Sequence, residues 1–146
     1  GHMRLGESMS EAVRELEEEL GLADTLDELL PFGTHRQEHV HASGLIDREH
    51  HALHLLARPV NDVEFRPDPE EVQGLAWVPG NVLIGLAEGD LREADVDYLA
   101  VTDHGRVESR QRLLRAAEIV PYDGLYHRRV VDIATATLRE RGFMNA

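Results

Sequence analysis

A chain of 146 residues suits one compact domain and is long enough to bury a hydrophobic core. It contains no cysteine, and all 15 of its cationic side chains are arginine, which excludes disulfides, thiol catalysis and lysine Schiff-base chemistry. The formal net charge of −13 disfavours nucleic acid and anionic membranes as partners. No apolar run of about 18 residues and no secretory signal is found, so we expect a cytoplasmic protein without a membrane span.

The spacing of apolar residues in the N-terminal part of the chain predicts a helix over about residues 9–20. Apolar residues recur at helical spacing along one face: Met9, Val13, Leu16 and Leu20. Ser8 or Ser10 can serve as the N-cap, and Glu11 stands three residues after Ser8, an arrangement typical of a capping box. Gly21 stands where a left-handed residue is expected to end the helix.

Further elements follow from alternation, turn residues and helical spacing. We predict strands over 32–41 and 45–57 joined by a turn, a strand over 72–78, a short helix over 82–87, a hairpin over 98–107 and a last helix over about 125–141. Residues 109–120 fit either a continuing strand or a helix.

The first predicted helix is strongly acidic, with six glutamates and one arginine from Glu7 to Glu19. The spacing of Glu15, Glu18 and Glu19 places three carboxylates on one helical face. Like charges four residues apart cost roughly 0.2–0.5 kcal/mol per pair. A hard divalent cation would remove this repulsion, because Mg²⁺ prefers carboxylate and water oxygens. The alternative is an acidic face that simply contacts solvent.

The residues around these carboxylates form a longer pattern. Gly1 is followed after five residues by Glu7, and Arg14-Glu15-Leu16-x-Glu18-Glu19-x-Gly21-Leu22 comes after six more. This pattern closely resembles the Nudix box, G-x5-E-x7-R-E-U-x-E-E-x-G-U, where U is a bulky aliphatic residue. One spacing departs, since six residues instead of seven separate Glu7 from Arg14. The missing residue should change the direction in which the Glu7 side chain points and leave the metal-facing helix intact. We call residues 1–22 the box segment.

The resemblance implies a role for each matching residue. In Nudix enzymes the carboxylates that match Glu15, Glu18 and Glu19 bind Mg²⁺ or Mn²⁺ beside a diphosphate, and the matching arginine orients them. The glutamate that matches Glu7 supports the loop before the helix. The resemblance therefore implies metal ligands at Glu15, Glu18 and Glu19, catalytic residues at Arg14, Glu18, Glu19 and Glu49, and structural motif residues at Gly1, Glu7 and Gly21.

Neighbouring residues narrow the branch of the family. Residues 1–8 are similar to the GHxxxGE start of isopentenyl-diphosphate isomerases and isomerase-like hydrolases, although Gly1-His2-Met3 is also what a cleaved expression tag leaves. Glu49 matches the second of two metal-binding glutamates of the isomerase, with Asp47 in place of the first. Residues 68–78 resemble a family segment with an acidic pair before a tryptophan-containing strand. The absence of cysteine and the intact Arg-Glu-x-x-Glu-Glu core argue against the isomerase itself.

The resemblance implies an α/β/α Nudix sandwich with a mixed sheet over residues 1–146, incomplete at its N-terminus, because family members carry strands before the glycine that matches Gly1. An open sheet edge invites pairing with a second chain, so we expect a homodimer. The leading hypothesis is an Mg²⁺-dependent hydrolase of a nucleoside diphosphate derivative, a small-molecule substrate. The alternatives are an isomerase-like protein and a truncated, catalytically compromised module.

Other candidates have weaker support. A catalytic base is needed to deprotonate water, and Glu49, Glu70 and Glu71 are available for that role. For Glu70 and Glu71 an exposed loop pair is the favoured interpretation. Histidines crowd the first two strands at positions 35, 39, 41, 50, 51 and 54. We favour pairing of His39 and His41 across the hairpin with His50 or His54 over a metal cluster. Tyr122 and Tyr126 are interpreted as packing for the last helix, with base stacking as the alternative.

Overall fold

The fold is described from a computed structural model, which describes residues 8–22, 26–56, 65–102, 106–122 and 125–143. The helices are α1 (Met9–Ala12), α2 (Arg14–Leu20), α3 (Gly80–Glu88) and α4 (Tyr126–Glu140). The strands are β1 (Leu29–Val40), β2 (Ile46–Leu56), β3 (Gly74–Trp77), β4 (Glu93–Val101) and β5 (Val107–Arg115). Helices and sheets in one chain of this size confirm the α/β class.

The chain divides into two compact units. The first unit comprises Gly1–Glu28, Arg58–Val78 and Ala94–Leu114, and the second comprises Leu29–Ala57, Pro79–Glu93 and Arg115–Ala146. The single domain expected from the sequence stays a prediction.

The first unit contains α1, α2 and a three-stranded sheet in the order β3-β4-β5. Strands β3 and β4 are antiparallel, with Leu75 opposite Leu99. Val96, Leu99 and Leu114 are buried in this sheet, and Leu22 is buried directly after the box helix. These aliphatic side chains supply the unit's apolar core.

The second unit contains the long antiparallel hairpin β1–β2 and the helices α3 and α4. A five-residue connection joins the strands, in which the His41 N–H donates to the Leu45 carbonyl at 2.8 Å. Helices α3 and α4 are linked by Arg128, whose Nε donates to a carboxylate oxygen of Glu88 at 2.8 Å. This ion pair raises the pKa of Arg128 and lowers that of Glu88.

Most of the predicted elements are confirmed, with shifted ends. The helix predicted over 9–20 is divided at Val13, because the Leu16 N–H bonds to the carbonyl three residues back, at 2.9 Å, instead of four. The ambiguous stretch 109–120 is strand up to Arg115 and then a 3₁₀ turn over Ala116–Glu118.

The sheets differ from the expected mixed sheet. The described strands form two separate sheets, and the pairs β1–β2 and β3–β4 are both antiparallel. A short turn between consecutive strands imposes this direction on β1–β2, because a parallel pair needs a long crossover.

Candidate functional site

The acidic face of the box segment is carried by α2. Arg14 donates from its guanidinium to the Glu18 carboxylate four residues later, which joins two of the motif residues on one side of the helix. Glu15 and Glu19 are half-buried, whereas Glu17 and Glu18 are exposed. Since the i, i+4 geometry that sets Glu18 beside Arg14 also aligns Glu15 with Glu19, the helix presents carboxylates from two of its turns in the same direction.

Gly21 ends α2 in the left-handed conformation expected from the sequence, with φ of 70°. A Cβ at this position would lie 2.6 Å from the Cβ of Arg66 and 2.9 Å from its backbone nitrogen and oxygen. Two demands therefore select glycine here: a positive φ, and the close approach of another backbone segment.

That approaching segment is the loop from Phe65 to Val72, which we call the docked loop. The Arg66 N–H donates to the Leu20 carbonyl at 2.9 Å, and the Asp68 N–H donates to the Glu19 carbonyl at 3.0 Å. These bonds satisfy two of the carbonyls that the end of a helix leaves without an intrahelical partner. These two backbone hydrogen bonds fix the docked loop to the end of α2.

Asp68 also organises the docked loop internally. Its side chain accepts a hydrogen bond from the Glu70 N–H at 2.9 Å, and its carbonyl accepts one from the Val72 N–H at 2.7 Å. Glu70 and Glu71 are exposed, as the sequence predicts, and they lie in the same unit as the box segment. Sequence reasoning missed the docking itself. The Asp68-Pro69 pair signals only the local turn, since Asp before a turn commonly bonds its own backbone two residues on.

The donor chemistry of α2 suits a hard divalent cation, because glutamate carboxylates are the oxygen ligands such ions prefer. In the described residues no three His, Asp or Glu side chains are grouped closely enough to enclose an ion. Mg²⁺ does not require such a cage, since it usually keeps several waters and binds one or two carboxylates together with substrate phosphates. Carboxylates of α2 can therefore act as ligands of an ion that keeps part of its water shell, and the full set of Glu15, Glu18 and Glu19 stays a prediction.

Comparison with known proteins identifies the pattern. The family model named NUDIX domain matches residues 1–101, which is more than half of the chain. The chain belongs to the NUDIX domain family. The match includes the box segment, the hairpin β1–β2 and the docked loop, and members of this family generally use divalent metal ions.

Two curated Nudix-related proteins are similar in sequence. An uncharacterized Nudix hydrolase of Clostridium acetobutylicum is 27% identical over 131 residues, which cover 90% of this chain and 63% of the relative. An isopentenyl-diphosphate Delta-isomerase of Streptomyces coelicolor is 44% identical over 80 residues, 53% of this chain and 38% of the relative. This chain thus spans less than two thirds of either relative's length. No solved structure matches.

The remaining predicted site residues are divided between regions. Gly1 and Glu7 lie outside the described residues. Glu49 lies on β2 in the second unit, where its carboxylate contacts the His51 ring nitrogen Nε2 at 2.9 Å. With Gln37, His39, His41 and Asp47, Glu49 lines a shallow recess of about 180 Å³ on one face of the hairpin.

The predicted histidine pairing is wrong. The register places His39 opposite Asp47 and His50 opposite Arg36, while His41 lies past the end of the ladder and contacts the His39 ring at 4.5 Å. The five-residue connection sets this register, because each strand's alternation starts from Val40 and Ile46. His35 and His51 are the cross-strand histidine partners instead, with ring centroids 5.9 Å apart.

An aromatic cluster in the second unit brings Tyr122 and Tyr126 together with His35, a contact that sequence reasoning missed. The Tyr126 ring lies 4.3 Å from that of Tyr122 and 4.4 Å from that of His35. Burial, with a smaller contribution from Tyr122, raises the pKa of Tyr126, and burial lowers the pKa of His127. The tyrosines therefore pack against each other and against the hairpin, which matches the packing interpretation of the sequence. Among the described helices, none is long and apolar enough to cross a membrane.

Proposed function

We propose that this chain is an Mg²⁺-dependent Nudix hydrolase, with Mn²⁺ as an alternative ion, that cleaves the diphosphate linkage of a nucleoside diphosphate derivative. The observation that carries the proposal is the intact arrangement on α2. Arg14 is paired with Glu18, Glu15 and Glu19 share the helical face, and a docked backbone loop secures the helix end. Like charges four residues apart on this helix cost a few tenths of a kcal/mol per pair, and a bound cation would remove that repulsion.

The residues would divide the work as follows. Glu15, Glu18 and Glu19 would hold the ion, which when bound supplies charge neutralisation for the diphosphate and acidifies a bound water. Arg14, through its ion pair, holds the Glu18 carboxylate in one orientation. Glu49 is the proposed base for the attacking water, and the Nε2 atom of His51 contacts the Glu49 carboxylate and restrains it.

An isomerase-like activity is the second candidate, and the 44% identity to the Streptomyces isomerase over 80 residues favours it. Against it stands the complete Arg-Glu-x-x-Glu-Glu core, which isomerases usually break. The two activities are separable by product. Hydrolysis releases phosphate-bearing fragments, whereas isomerisation converts isopentenyl diphosphate without releasing phosphate.

The decisive experiment compares two variants of the same helix. Glu18→Gln removes a proposed metal-binding carboxylate, and Glu17→Gln removes another exposed carboxylate next to it in sequence. Wild-type protein and the Glu17→Gln control should hydrolyse at least one of ADP-ribose, nucleotide sugars, dinucleoside polyphosphates or coenzyme A with Mg²⁺. Glu18→Gln should lower kcat/KM by about 100-fold or more.

Each remaining outcome has a defined meaning. Conversion of isopentenyl diphosphate without hydrolysis would replace the proposal with the isomerase. Metal binding measured by calorimetry, without turnover of any of these compounds, would favour the compromised module. Equal losses in Glu17→Gln and Glu18→Gln would contradict the assigned role of Glu18. The cytoplasmic location and the homodimer stay predictions.

A further inference from the structure

His51 on β2 is enclosed by side chains from other segments of the second unit. Its side chain is 25% exposed, whereas that of the neighbouring Glu49 is 40% exposed. The His51 ring contacts His35, its cross-strand partner, with ring centroids 5.9 Å apart and an interplanar angle of 81°. It contacts Tyr122, from the segment before α4, at 5.7 Å and 87°. Both contacts are edge-to-face, an arrangement that aromatic rings favour, so two other segments each hold a ring against His51.

The hydrogen bond between His51 and Glu49 has one direction when Glu49 is ionised. An ionised carboxylate only accepts, so Nε2 of His51 carries the proton and donates it to Oε2 of Glu49 at 2.9 Å. The other carboxylate oxygen, Oε1, makes no hydrogen bond within the part of the chain that the structure describes. One oxygen of Glu49 is therefore held by His51, and the second is available to accept a proton from water, as a general base requires.

Tyr122 is itself held by the first turn of α4. Its ring lies 4.3 Å from that of Tyr126 and 5.6 Å from that of His127. Tyr126 extends the contact to the hairpin, because its ring also lies 4.4 Å from that of His35. A shift of Tyr122 away from His51 would therefore break ring contacts with α4 as well.

We propose that Tyr122 is a positioning residue for the hydrolysis. Its ring holds the His51 imidazole, so that Nε2 stays on the Glu49 carboxylate and Glu49 keeps the orientation in which it deprotonates water. The inference rests on the proposed function, because the role of Glu49 as the base is part of that function. It adds a residue that acts through another side chain, and it makes turnover depend on the packing of α4 against the hairpin.

Hydrogen exchange of the His51 Nε2 proton, followed by NMR on the full chain, tests the contact without any substrate. Tyr122→Leu removes the ring, and Tyr122→Phe keeps the ring and removes only the hydroxyl. We expect exchange to accelerate by about 10-fold in Tyr122→Leu and to stay within about two-fold of the wild type in Tyr122→Phe. Tyr98→Leu is the matched control, since Tyr98 belongs to the first unit and its loss should leave the His51 proton unchanged.

A double-mutant cycle tests whether Tyr122 acts through His51. The assay uses Mg²⁺ and whichever of the four kinds of compound named above the wild type hydrolyses. Tyr122→Leu should lower kcat by about 10-fold and leave KM within about two-fold, because the base is misdirected and substrate binding is not altered. His51→Ala removes the bond to Glu49 directly, so Tyr122→Leu should lower kcat no further in that background. A tyrosine that only stabilises the fold would lower kcat equally in both backgrounds.

Circular dichroism verifies that every variant is folded, and Tyr122→Met replaces Tyr122→Leu if the leucine variant is not. Unchanged exchange in Tyr122→Leu would overturn the proposal, as would equal losses of kcat in the wild-type and His51→Ala backgrounds. Equal effects of Tyr122→Phe and Tyr122→Leu would also overturn it, because the ring would then not be the group that acts. A wild-type protein without turnover would refute the proposed hydrolysis and the catalytic consequence drawn from it, and the exchange rates would still decide whether Tyr122 holds His51.

Discussion

The two sheets of this protein bury their side chains very differently. The three-stranded sheet of the first unit contains Val96, Leu99 and Leu114, each at most 8% exposed. The hairpin of the second unit has longer strands, yet none of its residues from Leu29 to Leu56 is buried, and every residue beyond Gln37 and Glu49 is exposed. One sheet is stabilised by an apolar core, and the other depends mainly on its backbone ladder.

This difference shows which positions can hold residues other than the aliphatic ones that a core requires. Strand positions that supply a core must remain aliphatic, because a cavity or a buried polar group is costly. Hairpin positions without that demand can hold histidines, carboxylates and exposed aliphatic residues such as Val40 and Leu45. The box segment belongs to the same unit as the buried sheet.

The largest expected effect tests this contrast with one substitution made in both sheets. Leu99→Ala should lower the free energy of unfolding by about 2–5 kcal/mol, because Leu99 is only 2% exposed and its loss leaves a cavity. Leu53→Ala, at a half-buried position of β2, should cost about 1–2 kcal/mol. Guanidinium unfolding followed by circular dichroism measures both. A cost for Leu53→Ala that equals or exceeds that of Leu99→Ala would break the comparison.

A smaller effect concerns the contact between the box segment and the docked loop. Gly21→Ala should destabilise by about 2–4 kcal/mol, because the new Cβ is strained by the positive φ and also meets Arg66. Gly89→Ala is the matched control, with φ of 83° and no atom within 4 Å of the new Cβ, and should cost only about 1–2 kcal/mol. Hydrogen exchange at the Arg66 and Asp68 amides should accelerate in Gly21→Ala alone. Equal costs for the two variants would show that docking adds nothing.

The sequence predicted what depends on residues close together in the chain. The box segment, the left-handed Gly21 and the hairpin around Gly44 were all readable, because turn chemistry and helical spacing are local. The strand register that places His39 opposite Asp47 could not be predicted, because the hydrogen bonds of the turn determine it and the histidine positions do not. The docking of Asp68 onto Glu19 and the contact of Tyr126 with His35 join distant segments, and single-sequence patterns carry no signal for such contacts.

The smallest expected effect lies at the start of α1, where the box segment is one residue shorter than the family pattern. The Ser8 hydroxyl donates to the Glu11 carboxylate at 2.6 Å and the Ser8 N–H donates at 2.8 Å, which together lower the pKa of Glu11. A carboxyl whose pKa is lowered by folding stabilises the protein at pH values above the ordinary pKa of that group, and this contribution is lost as the pH falls through the lowered pKa.

Ser8→Ala removes the hydroxyl bond and keeps the N–H bond, so the pKa of Glu11 should rise part of the way to its ordinary value. Carbon-detected NMR titration of the carboxyl measures this, with Ser109→Ala on β5 as the control that should leave Glu11 unchanged. An unaltered Glu11 titration in Ser8→Ala would mean that the backbone bond alone caps this helix.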